Sequence, residues 1–184
     1  MREFAEEKAK VIKMREFAEV KAFDDTFQIY HLPKARVIGK EVRNGGTIGN
    51  TAPALWDEVF SSGTADILRT LPHILKDSLY GWTCDYDPQT DTFIYMVCAL
   101  TPADTPVPDG FTYRDIPETL CAKGLYGEDM GKTLERINDS GCEPNWEPYG
   151  WNAELYLDAE EERPPMQVDT PWHWIVPVRM KENQ

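Results

Sequence analysis

The 184-residue sequence is short of positive charge. Its 19 Lys and Arg stand against 32 Asp and Glu, a net −13 with a pI near 4.6. A field of that sign repels phosphate backbones and anionic lipid heads, which disfavours direct nucleic-acid and membrane-surface binding. Histidine is scarce too, and His31, His73 and His173 show no metal-ligand spacing. There is no HExxH, phosphate-binding glycine loop, GxGxxG or GxSxG, so the common metalloprotease, nucleotide and serine-hydrolase signatures are missing. No apolar run is long enough to cross a bilayer. The four cysteines, Cys84, Cys98, Cys121 and Cys142, form no CxxC pair, and no signal peptide precedes them. They read as reduced core residues of a cytoplasmic protein. No metal, cofactor or catalytic pair is expected.

Aromatic residues, by contrast, make up 11% of the chain, with 6 Trp and 8 Tyr. Acid together with aromatics suits an organic cation, which is held by ring quadrupoles and a carboxylate. The plainer alternative is an acidic surface that keeps a small protein soluble. A hydrophobic content of 41% is enough for one domain, or one domain of two similar halves, to bury a core without disulfides or metal.

Two kinds of repeat organise the chain. MREFAEEKA (1–9) returns as MREFAEVKA (14–22) with helix-favouring composition, and so 1–22 is expected to be an N-terminal helical extension. It is either an arm that docks on the body or a partner, or an upstream extension with Met14 as an alternative start. The second reading is favoured, and no functional residue is expected in 1–22. In the body, FQIYHLP (27–33) and FTYRDIP (111–117) share F-x-x-x-x-[LI]-P, and YGW at 80–82 recurs at 149–151. A helical pattern runs from Thr51 through Leu55, Trp56, Val59 and Phe60, and another over 128–139 with Met130, Leu134 and Ile137 as its stripe. Strand signals cover 79–87, 91–101, 149–158 and 172–180. Each half, about 25–101 and 110–180 of a domain at 23–184, therefore reads strand–helix–strand–strand. The fold class is α+β, an antiparallel sheet with two main helices and a pseudo-twofold relation between the halves. The sheet face opposite the helices, or the seam between halves, is left as a groove.

This organisation resembles the GyrI-like effector-binding domain, the ligand-sensing module of AraC-type and MerR-type multidrug regulators. The carrying stretches are FQIYHLPKARVIG, PALWDEVF, KGLYGEDMGKTLERI, AELYL and the terminal WIVPV. Residues 1–22 are too short for a helix-turn-helix, so the likeness is to a free-standing member, one of the small cationic-drug-binding proteins carried on mobile gene cassettes. The resemblance implies that Glu154, in AELYL, offsets the ligand's charge, and that Trp56, Tyr95, Tyr126 and Trp174 are pocket aromatics. Tyr156, Trp172 and Trp82 join them as candidates. Trp172 and Trp174 share a strand face, and Trp82 shares one with Tyr80 and Tyr86. Aligning the YGW motifs sets Asp85 opposite Glu154, where it reads more simply as a hairpin-end residue.

The expected ligand is a small lipophilic cation, bound by a stand-alone sensor or sequestering module that is not an enzyme. Two other functions stay open. One is a small-molecule hydrolase with Glu154 as general base. The other is a protein-interaction inhibitor like the gyrase inhibitor of the same family, in which case a protein partner is expected. A homodimer is also open.

Overall fold

The computed structural model describes residues 14, 17–19, 25–45, 51–75, 78–147, 150–157 and 172–181, and among them are nine strands and three helices. The first half runs β1 (Gln28–Leu32), β2 (Ala35–Gly45), α1 (Thr51–Ser61), α2 (Thr64–Thr70), β3 (Ser78–Asp87) and β4 (Thr92–Pro102). The second runs β5 (Thr112–Ile116), β6 (Thr119–Lys123), α3 (Met130–Asp139), β7 (Cys142–Pro144), β8 (Asn152–Leu157) and β9 (His173–Met180). The strand order is β1-β6-β9-β8-β3-β4-β2-β5, with β7 beside β9, and every pair is antiparallel.

That order carries the pseudo-twofold. Exchanging β1 with β5, β2 with β6, β3 with β8 and β4 with β9 reads it backwards, so the axis passes between β3 and β8. The register agrees. His31 lies opposite Leu120, and Asp115 opposite Arg36, as the offset between FQIYHLP and FTYRDIP requires. The two YGW tryptophans, Trp82 and Trp151, stack across the axis with centroids 4.1 Å apart.

Each half holds one strand more before its helix than the sequence suggested. Pro33 and Pro117 offer no ladder N–H and end the first strand, so ARVIGKEVRNG and TLCAK form separate strands. The first strands also cross over, β1 to the second half's β6 and β5 to the first half's β2. This forces the sheet to curl. Only Pro33 and Lys34 link β1 to β2, a reach of about 11 Å. A flat sheet would hold those strands about 29 Å apart, six spacings of about 4.8 Å. The link closes only if the sheet bends into a half-barrel.

The inside of the bend, free of helices, is packed with Tyr30, Leu32, Val37, Tyr80, Trp82, Met96, Cys98, Leu155 and Ile175. The outside carries all three helices. Ala52, Leu55, Trp56 and Val59 of α1, with Ala65 and Leu68 of α2, pack on Leu79, Tyr95, Val97, Ala99 and Tyr156. Gly63, whose φ of 78° is open to glycine at little cost, divides α1 from α2. On α3 the predicted stripe of Met130, Leu134 and Ile137 packs on Leu120, Ala122, Val176 and Val178. Asp129 caps that helix by accepting from Lys132 N at 3.0 Å.

Most of the predicted N-terminal helix lies outside the described residues. Met14 is helical, and Phe17–Glu19 are not. Met14 and Phe17 pack beside β1 and α3, His31 N donates to Ala18 O at 3.0 Å, and Glu19 makes a parallel bridge to His31. Of the two readings of this segment, the contacts of Met14 and Phe17–Glu19 are those of an arm that docks on the body.

Candidate functional site

Alternation along β8 puts Ala153 and Leu155 into the helix-free core and sends Glu154 and Tyr156 the other way. Glu154 therefore lies on the helix-bearing face, between α1 on one side and α3 on the other. The expectation of a groove on the face away from the helices is corrected, and the seam between halves is where the site falls. Across β8, Glu154 sits opposite Gly81 of β3 on one side and Trp174 of β9 on the other.

Gly81 makes the arrangement possible. A glycine in a strand interior marks a place where something approaches closely. Here a Cβ would collide with the Tyr95 hydroxyl and the Glu154 carboxylate. Without it, Tyr95 of β4 reaches across β3 and donates to Glu154 Oε2 at 2.7 Å. Tyr156 donates to the same oxygen at 3.0 Å. Trp56 of α1 donates to the Tyr95 hydroxyl at 3.0 Å, which fixes the direction of that hydroxyl's own proton. Oε2 is thus held by two donors, and Oε1 has no hydrogen-bond partner among the described residues.

Burial pushes the Glu154 carboxyl above the ordinary carboxylate range, while the bonds from Tyr95 and Tyr156 pull the other way. Burial, together with the nearby carboxylate, raises both tyrosine hydroxyls, so they remain donors at neutral pH. No ion pair among the described residues reaches Glu154. Its sequence counterpart Asp85 differs in this respect. It stands at a β-bulge of β3 with φ 53°, and Arg114 Nε donates to it at 2.7 Å. One half of the molecule supplies its own cation, whereas the other presents a carboxylate without one among the described residues.

Aromatic rings run past Glu154 in series. Phe60 and Trp56 lie 5.8 Å apart, Trp56 and Tyr156 5.0 Å, Tyr156 and Trp172 6.1 Å, and Trp172 and Trp174 5.6 Å. Trp56 and Tyr95 are buried behind the carboxylate, and Trp172 and Trp174 are partly open. Trp172 Nε1 finds no acceptor among the described residues.

The structure therefore brings together Glu154, Trp56, Tyr95, Tyr156, Trp172 and Trp174. It does not bring Trp82 there. Trp82 is paired with Ala153, points into the opposite core and is 1% exposed. Sharing a face with Tyr80 put it in that core rather than in the site. Tyr126 is also separate. It is exposed, and its ring neighbours His173, which alternates away from Trp172 and Trp174. Gly81 and Phe60 were not among the site residues expected from the sequence. Strand-interior glycine is the signal that could have found the first, and helical spacing from Trp56 the second.

Residues 28–170 match the family Cass2, integron-associated effector binding protein. No curated protein matches. Among solved structures, a protein described as a bacterial transcription regulation protein from Staphylococcus aureus MU50 superposes with a TM-score of 0.55 at 12% identity, over 85% of this chain and 99% of that one. The protein SAV2435, bound to tetraphenylphosphonium, gives 0.55 at 10% identity over 84% and 94%. An integron cassette protein from Vibrio cholerae gives 0.47 at 15% identity over 83% and 95%. At these identities, the first two likenesses establish a common fold.

Proposed function

Because the chain belongs to the integron-associated effector-binding proteins, we propose that it is a non-enzymic receptor for lipophilic organic cations, held between Glu154 and the partly open tryptophans of β9. The observation that carries this is a largely buried carboxylate with two neutral donors on Oε2 and no cation within reach among the described residues. Leaving a buried charge unpaired is costly, so a bound cation and Glu154 relieve each other. At about 4 Å and an effective dielectric of about 20, that attraction is about 4 kcal/mol before desolvation. Each ring face adds about 0.5–2 kcal/mol. Stacking demands no fixed hydrogen-bond pattern, which favours breadth of ligand over precision. Tetraphenylphosphonium in SAV2435 is a cation of this kind and supports the choice of ligand class.

The module acts in the cytoplasm as a sensor or sequestering protein. Quenching of tryptophan fluorescence by tetraphenylphosphonium tests the binding, with neutral triphenylphosphine oxide as the control. Glu154→Gln weakens cation binding tenfold or more, about 1.4 kcal/mol, and leaves the neutral control unchanged. Equal loss for both ligands would remove the charge-pairing role. A hydrolase with Glu154 as general base would instead turn over activated electrophiles and lose that turnover in Glu154→Gln.

A further inference from the structure

The duplicated N-terminal sequence has a seat on the body. Met14 and Phe17 pack against the cluster formed by Leu120, Ala122, Ile137, Val176 and Val178. His31 N donates to Ala18 O, and Glu19 lies 4.0 Å from His31 Nδ1, whose Nε2 faces Glu118 at 2.7 Å. Each of these docking residues occurs twice. Met14, Phe17, Ala18 and Glu19 repeat Met1, Phe4, Ala5 and Glu6, within a six-residue identity, MREFAE. The copies first differ one residue beyond the docked stretch, where Glu7 corresponds to Val20.

We infer that the seat between the β1 edge and α3 is a receptor for MREFAE that takes the first copy of its own chain in place of the second. The pseudo-twofold does not offer the first copy a seat of its own. The counterparts of Ile29 and His31 are Tyr113 and Asp115 on β5. There the Arg36 guanidinium lies 4.6 Å from the Tyr113 ring centroid and bonds Asp115 at 2.7 Å. That surface is covered by its own cation, and Asp115 would repel Glu6. The seat beside β1 is apolar where Phe17 enters and offers the His31 N–H to a strap carbonyl.

Exchange costs little. Nine positions separate Glu19 from Gln28, and 22 separate Glu6 from it. Loop-closure entropy scaling as the three-halves power of length favours the second copy by roughly fourfold. Both registers are then populated, and the first becomes dominant when the second copy is damaged.

Urea unfolding of full-length Phe4→Ala, Phe17→Ala and the double variant tests this. Phe4→Ala alone should leave the folding constant within about 1.5-fold, and Phe17→Ala should lower it roughly fivefold because the first copy takes over. Adding Phe4→Ala to Phe17→Ala should cost a further tenfold or more. Phe4→Ala silent in both backgrounds overturns the inference. A second readout is disulfide formation in Phe17→Ala carrying Glu6→Cys and His31→Cys, calibrated by Glu19→Cys with His31→Cys in the otherwise unchanged chain. A cross-link within one chain supports the exchange. No cross-link, or one only between chains, overturns it.

Discussion

Replacing Gly81 by alanine adds one methyl group, and in most strand interiors that gains about 0.5–1 kcal/mol, because glycine forfeits more backbone freedom on folding. Here the sign reverses. The new Cβ would overlap the Tyr95 hydroxyl and the Glu154 carboxylate, so one of them must leave. The Tyr95 hydroxyl lies nearest the new Cβ, so Tyr95 is the side chain pushed first, and its ring is packed among Val97, Leu79 and α1. Its displacement breaks the bond to Glu154, worth about 1.5–3 kcal/mol with a charged acceptor, and the bond from Trp56, worth about 1 kcal/mol. Subtracting the backbone gain leaves a loss of about 2–3 kcal/mol. With a urea slope of about 1–3 kcal/mol/M for a small domain, the midpoint falls by about 1 M or more. The cause is checked in the Tyr95→Phe background, where part of the collision is gone and Gly81→Ala should cost at least 1 kcal/mol less. A neutral or stabilising Gly81→Ala, or equal cost in both backgrounds, would refute the reasoning that this glycine exists to let Tyr95 reach Glu154.

Other outcomes follow from the same geometry. Glu154 has its folded-state pKa raised above 4.5, so its contribution to stability is fully present below about pH 4.5 and is lost as pH rises through the raised value. Glu154→Gln, which imitates the neutral acid, should therefore compare better with the parent at pH 7 than at pH 4 in parallel unfolding curves; no change in that difference would contradict the burial of the group. Cation affinity should rise with pH through the same range and then level off, whereas a flat profile would mean that Glu154 does not pair with the ligand. Trp82→Phe should lower stability by about 1–2 kcal/mol through the lost Trp151 stack and leave ligand quenching amplitudes at Trp172 and Trp174 unchanged in affinity. Asp85→Asn should loosen the contact with Arg114 and leave cation binding within twofold, because that carboxylate already has its cation.

Legibility in the sequence followed the range of the interactions. The helix at Leu55, Trp56 and Val59, the stripe of Met130, Leu134 and Ile137, and the hairpin of β3 and β4 rest on contacts within a few residues, and they stand where periodicity put them. The pseudo-twofold was visible because FQIYHLP and FTYRDIP keep the same prolines, which mark the ends of β1 and β5. What those prolines do next was not visible. That each first strand leaves its own half and pairs with the other depends on closing the curled sheet, a relation between strands more than 70 residues apart. The same limit decided the site. Alternation showed that Glu154 and Ala153 part company across β8, but not which face carries the helices. Trp82 and Trp172 look alike as strand tryptophans. One meets Trp151 at the symmetry axis, and the other meets Tyr156 on the outer face, a difference set by register. Gly81 escaped notice because its role is the space it leaves for residues on two neighbouring strands.

A crystal structure of the protein with tetraphenylphosphonium tests the central claim most directly. The account predicts the phosphonium on the Oε1 side of Glu154, its rings against Trp172 and Trp174, with both tyrosine bonds to Oε2 retained. A cation bound elsewhere on the acidic surface, with the seam beside Glu154 empty, would contradict it.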